Sequence, residues 1–132
     1  MAWVVDTCVL LDIHTGDPAF SHLSAACLAR HSGDGLLVCP VTYVEMAPAF
    51  GGNMDLEDLF LQQLGVEWPT PWTILDTRAA HSLWHDHVTN KRAGHAGKRP
   101  VADVLIEAFA QRFQGLITRN PKHFTTVPVS SP

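Results

Sequence analysis

Four residues with oxygen-donor side chains, Asp6, Glu45, Asp103 and Asn120, each follow a short apolar segment of this chain. The clearest is the first, because Ala2-Trp3-Val4-Val5 is an uninterrupted apolar run that stops abruptly at Asp6-Thr7. Such a run reads as a strand covered on both faces, and open α/β sheets place their ligand crevice at the carboxyl ends of these strands. Carboxylates gathered in one crevice repel each other, and a raised pKa or a bound cation relieves the repulsion. Oxygen-only ligands suit Mg2+, with Mn2+ as substitute, since both ions retain waters and share their coordination shell with substrate phosphates. An ion of this kind activates water for in-line attack on phosphorus and neutralises charge on the phosphate.

Two of the acids, Glu45 and Asp103, also have a plain structural reading. Thr42-Tyr43-Val44-Glu45 fits a capping box in which the glutamate reaches back to the threonine amide. Asp103 lies in the first turn after Pro100, where the helix dipole favours an anion, and forms with Glu107 and Gln111 a polar stripe at helical spacing. Its neighbours Val101, Ala102, Val104, Leu105, Ile106, Ala108, Phe109, Ala110 and Phe113 are so widely apolar that the stripe must be hydrated, paired or bound to a cation. His81 and His85 stand one helical turn apart beside Asp86 and His87, but the glutamate of an HExxH site and any further ligand at recognisable spacing are missing. They read as surface residues.

The elements that must position these groups alternate. Thr7 to Ile13 reads as a short helical turn, and Asp17-Pro18 as the cap and first position of a helix that ends at Ser32-Gly33-Asp34-Gly35. Leu36 to Cys39 is a second strand, a helix begins near Tyr43, and Gly51-Gly52-Asn53 breaks it. Asp55 to Leu64 follows as a helix with Leu56, Leu59, Phe60 and Leu64 on one side and Gly65 as its C-terminal cap. Two prolines make Val66 to Trp72 an extended connector and exclude a central strand. Thr73 to about Lys91 is a long helix with Ala80, Leu83, Trp84 and Val88 inward, and Pro100 to Phe113 another, ended by Gly115. Leu116 to Thr118 is the third strand, Arg119 to Phe124 a turn, and Val127-Pro128-Val129 a terminal edge segment. Short strands alternating with helices imply a three-layer α/β/α sandwich around a central, mainly parallel sheet.

With 132 residues, 46% hydrophobic and 17% charged, the chain reads as a single domain over residues 1–132 with one core. No run reaches membrane-spanning length and the N-terminus lacks signal-peptide character, so no membrane association and a cytoplasmic location are expected. Cys8, Cys27 and Cys39 are an odd set without a CxxC spacing, which argues for buried free thiols. The net charge of -4 speaks against a nucleic-acid binder until its distribution is considered. Lys91, Arg92, Lys98 and Arg99, four of the nine basic residues, fall in one acid-free stretch just ahead of Asp103. The cluster is either a solvated loop or a contact for phosphates.

Taken in order, Val4-Val5-Asp6-Thr7, Val41-Thr42-Tyr43-Val44-Glu45, Pro100-Val101-Ala102-Asp103-Val104-Leu105-Ile106 and Leu116-Ile117-Thr118-Arg119-Asn120 with Phe124 span nearly the whole chain. In these four pieces it resembles the PIN-domain ribonucleases of the VapC type, toxins of type II toxin-antitoxin pairs. Each piece is weak alone, and the ordered set is specific. The resemblance implies a PIN-like fold, a Mg2+- or Mn2+-dependent endoribonuclease, a homodimer and a cognate VapB-type antitoxin. It carries metal ligation to Asp6, Glu45 and Asp103, and a supporting role for nearby hydroxyls to Thr7 and Thr118. Asn120 stands where many relatives have a fourth acid, which favours one metal over two and assigns Asn120 to the hydration shell. Arg92, Lys98, Arg99 and Arg119 are the candidates for the RNA backbone, a kind of contact that gives affinity without sequence choice. A receiver-like phosphoacceptor lacks its late lysine here, and a haloacid-dehalogenase-type phosphatase lacks the second aspartate two positions after Asp6. The remaining alternative is a catalytically inactive PIN-fold module that binds RNA or protein.

Overall fold

The structure is a computed structural model that describes residues 1–94 and 99–132. Five strands form one sheet: β1 (Trp3–Val5), β2 (Leu36–Leu37), β3 (Val66–Glu67), β4 (Gly115–Ile117) and β5 (Val129–Ser130). Their order is β3-β2-β1-β4-β5 and every pairing is parallel. Chain order therefore runs outward to one side of β1 and then reverses to the other. The boundary between β1 and β4 is the topological switch point, where the two flanking connections leave in opposite directions and open a crevice.

Parallel strands need crossovers, and the helices that supply them cover both faces of the sheet. On one face α1 (Thr7–Thr15), α2 (Ser21–His31) and α4 (Met54–Leu64) pack Leu10, Leu28 and Leu61 with Trp3, Val5 and Ile117. On the other, α6 (Val101–Ala110) packs Ile106, Phe109 and Ala110 with Val4, Leu37 and Leu116, and α5 (Ile74–Arg92) lies against α6. Alternate residues of β1 thus enter opposite cores, which is why its sequence is apolar without interruption. The α/β sandwich expected from the sequence is the architecture found.

Several local expectations are corrected. Asp17 does not cap α2 directly: its Oδ1 accepts the amides of Ala19 and Phe20, each at 2.9 Å, and the helix starts at Ser21. α3 (Pro40–Glu45) begins at Pro40, whose missing amide costs nothing at the first helical position, so Thr42 is a buried interior residue and no capping box forms at Glu45. A capping box does form at the start of α5, between Thr73 and Asp76. Val66 and Glu67 form a strand, but at the sheet edge, where the prolines that follow are tolerated.

Leu56 and Leu59 of α4 stay exposed, and Glu57 and Leu61 make its buried side. Trp84 of α5 is also exposed, at 39%. Gly115 opens β4 and does not cap a helix; a Cβ there would lie 2.7 Å from Cζ3 of Trp3 and would collide with the Pro128 carbonyl. Its lack of a side chain lets three strands meet.

Candidate functional site

Asp6 is the first residue past β1 and the N-cap of α1, with extended backbone angles, which places it at the β1/β4 switch point. Its backbone amide donates to the Ile117 carbonyl at 2.9 Å, which fixes the two strand ends side by side. The carboxyl Oδ1 accepts the Thr7 amide at 2.8 Å, and Oδ2 accepts the Thr118 hydroxyl at 2.7 Å and the Cys8 thiol at 3.4 Å. Asn120 joins through its backbone, donating its amide to Thr118 Oγ1 at 3.1 Å.

Glu45 reaches the same edge from the end of α3. Its Oε1 accepts the Thr7 hydroxyl at 2.7 Å, and the Thr42 hydroxyl lies 3.0 Å from that of Thr7. Thr7 has one hydroxyl proton, so donation to Glu45 makes Thr42 the donor to Thr7. Asp103 projects from the first turn of α6, with its Oδ2 3.4 Å from Nδ1 of His123.

The electrostatics follow from burial. Asp6 is 5% exposed, and desolvation pushes its carboxyl above the ordinary carboxylate range against the hydrogen bonds of Thr118, Cys8 and Thr7; the negative charge of Asp103 adds to the rise. Burial and the adjacent Asp6 push the Cys8 thiol up to about 11, so it is a neutral donor and not a thiolate nucleophile. The charge of Asp103 reaches Asp6, and among the described residues no cationic side chain pairs with Asp6.

Among the described residues no three His, Cys, Asp or Glu side chains are placed to enclose a metal ion. The donors present fit a different kind of site. Asp6 and Asp103 are hard oxygen ligands whose mutual repulsion a cation would relieve, and Mg2+ is commonly held by one or two carboxylates with waters completing its shell. Glu45 is exposed and held by Thr7 at the same sheet edge.

The basic candidates separate. Arg119 pairs with Asp12, its Nε 2.6 Å from Oδ2, and lies 4.2 Å over the Phe20 ring, so its guanidinium is committed to an internal contact. Arg99 pairs with buried Glu107 at 2.6 Å. Glu107 also accepts the Thr126 amide and hydroxyl, so the Asp103, Glu107 and Gln111 stripe is divided: only its middle acid is buried, and it is fully paired. Arg92 is exposed at the end of α5, and Lys98 lies outside the described residues. His81 and His85 are exposed, as expected.

Cys8, Thr42 and His123 also belong to the cluster; the sequence read Cys8 as a buried thiol and Thr42 as a helix cap, and did not single out His123. A thiol two positions after Asp6 was a usable local signal, because it shares the first turn of α1. Nothing in the spacing of His123 announced its approach to Asp103, which depends on how the segment after β4 folds back over α6.

No protein-family model matches the chain, and no curated protein matches it by sequence. Its structure is similar to a chain in the crystal structure of VapBC2 from Rickettsia felis bound to a DNA fragment from their promoter. The TM-score is 0.71 at 15% identity, with 99% of this chain and 98% of that chain covered. At that identity the likeness establishes the fold, and the five-stranded parallel sheet between helical layers is PIN-like.

Proposed function

We propose that this protein is a metal-dependent endoribonuclease of the VapC toxin type, acting in the cytoplasm as a homodimer and neutralised by a VapB-type antitoxin. The observation that carries the reading is the buried Asp6 carboxyl at the β1/β4 switch point, held by Thr118 and Thr7 and acted on by the charge of Asp103, at the edge where open α/β sheets bind their ligands. The likeness to a VapBC2 chain is consistent with it.

In this reading Asp6 and Asp103 hold one Mg2+ or Mn2+, which when bound polarises the phosphate and activates water. The chain's own residues do the remaining work. Thr118 and the Thr7 amide hold the Asp6 carboxylate in one rotamer, which keeps its free lone pairs aimed into the crevice. Thr7 orients Glu45, which positions the attacking water and takes its proton. Asn120 supports the hydration shell as a neutral amide and adds no negative charge, which favours one ion over two. Exposed Arg92 contributes to binding the RNA backbone.

The test is cleavage of a labelled structured RNA by purified protein with Mg2+, with Mn2+ or with chelator. Cleavage is expected only with metal, and Asp6→Asn and Asp103→Asn are expected to lower it by about 100-fold or more. Cleavage that persists in chelator or in both variants would overturn the mechanism. The feature that favours the second reading, a PIN-fold module that binds RNA or protein without cutting, is Asn120, a neutral amide where a fourth acid would add charge to the site. RNA retained but uncut with either metal is its signature.

A further inference from the structure

Along one face of α5, residues at helical spacing form a groove of about 530 Å3 lined by Trp84, His87, Val88, Lys91, Arg92 and Arg99. Trp84 presents an indole to this groove beside the imidazole of His87, with ring centroids 5.6 Å apart. At 39% exposed, Trp84 leaves part of its indole face open to this groove, where a core tryptophan would be covered. Lys91 and Arg92 in the last turn have a simple explanation, since the helix dipole favours cations there. That explanation does not account for an aromatic floor one and two turns before them.

The groove also adjoins the carboxylate site. Arg99, at its end, donates to the Asp103 carbonyl at 3.4 Å while its charge is compensated by Glu107. Among the described residues Lys91 and Arg92 meet no carboxylate at ion-pair distance, so theirs is the positive charge the groove offers. The combination is a flat apolar surface with cations a helical turn or two beyond it, next to a site suited to phosphate.

We propose that this groove binds an unpaired nucleotide of a single-stranded RNA segment, its base stacked against Trp84 and its flanking phosphates on Lys91 and Arg92. The inference rests on the RNA reading above and specifies it: the strand is unpaired on the side of the cleaved bond that passes Arg99. A base within a duplex has both faces covered, whereas an unpaired base offers one to an aromatic side chain. Stacking of this kind tolerates any base, so the groove selects for strandedness and not for sequence.

Fluorescence anisotropy with a short 2′-O-methyl RNA oligonucleotide, which cannot be cut, tests this in chelator. Trp84→Ala should weaken binding by roughly ten-fold and Trp84→Phe should restore most of it. An oligonucleotide abasic throughout should show no dependence on Trp84, and a blunt duplex should compete poorly. Lys91→Ala should lower the slope of log affinity against log salt by about 0.7. Equal affinity of wild type and Trp84→Ala, with both folded by circular dichroism, overturns the groove; so does an equal loss on the abasic strand. Metal-dependent cleavage by wild type in that event leaves the nuclease reading intact, and Trp84-dependent binding without cleavage rejects the nuclease reading alone.

Discussion

The hydroxyl of Thr118 donates to Asp6 Oδ2 at 2.7 Å across the junction of β1 and β4, joining residues 112 positions apart. Both groups are buried, and the bond closes the switch point around the candidate metal ligand. It is at once part of the fold and part of the site.

Thr118→Val removes that donor and the acceptor for the Asn120 amide with little change in shape. We expect a loss of about 1–3 kcal/mol in urea denaturation. The Thr118 hydrogen bond lowers the Asp6 pKa, so its removal should move the carboxyl titration midpoint, followed by carbon NMR, further upward. An unmoved midpoint would show that the bond does not act on the carboxylate.

Asp6→Asn is expected to stabilise the protein near neutral pH when divalent metal is absent. A folded-state pKa raised by burial means that stability falls as pH climbs from the unfolded carboxyl value, about 3.9, to the raised one. An amide has no such loss, and a gain of about 1 kcal/mol is the expected scale. Mg2+ at a hundred times its Kd should then stabilise wild type by about 2.7 kcal/mol and leave Asp6→Asn unchanged. Thermal melts with and without Mg2+ read both effects, and equal Mg2+ responses would remove Asp6 from the metal site.

Arg112→Met should be among the most destabilising single changes outside the site. Arg112 Nε and Nη2 donate to the two oxygens of Asp76, 1% exposed, at 2.6 and 2.8 Å, and Nη2 also reaches the Pro71 carbonyl at 3.0 Å. Leaving Asp76 buried and unpaired costs about 3 kcal/mol. Burial pushes Asp76 up, but hydrogen bonds from Arg112 and Thr73 outweigh it and hold the carboxyl below its ordinary value. A depressed folded pKa gives stability that is present above the unfolded value and lost as pH falls through the folded one. Wild type should therefore lose this contribution only in acid, whereas denaturation of Arg112→Met should show no such acid-dependent component.

Gly115→Ala should disrupt the pairing of β4 with β5, because the added methyl meets Trp3 and the Pro128 carbonyl. Backbone on one side cannot yield as a flexible side chain can, so we expect a loss of about 3 kcal/mol and faster amide exchange at Leu116 and Thr118. Those amides donate to Pro128 and Ser130. Unchanged exchange would mean that the segment after Phe124 can shift without cost.

Local pattern was enough to reveal the alternation of strands and helices, the buried β1 and the end of α4 at Gly65, since these depend on periodicity and backbone preference over a few residues. It also singled out Asp6, because an apolar run that ends in a carboxylate is visible without any partner. What it could not decide was which competing partner each side chain would take. Thr42 fitted a capping box, yet Pro40 starts α3 one turn earlier, and Glu45 is held by Thr7 from another helix. Arg119 and Arg99 looked like phosphate contacts until Asp12 and Glu107 proved to be their counter-ions, and Trp84 had the spacing of a core residue but lines an open groove. The sequence alone determined where the chain turns and which residue types stand at the strand ends. Only the tertiary structure decided which charges are neutralised, because ion pairs and hydrogen bonds between residues as distant as Asp6 and Thr118 depend on strand order, and strand order leaves no local mark.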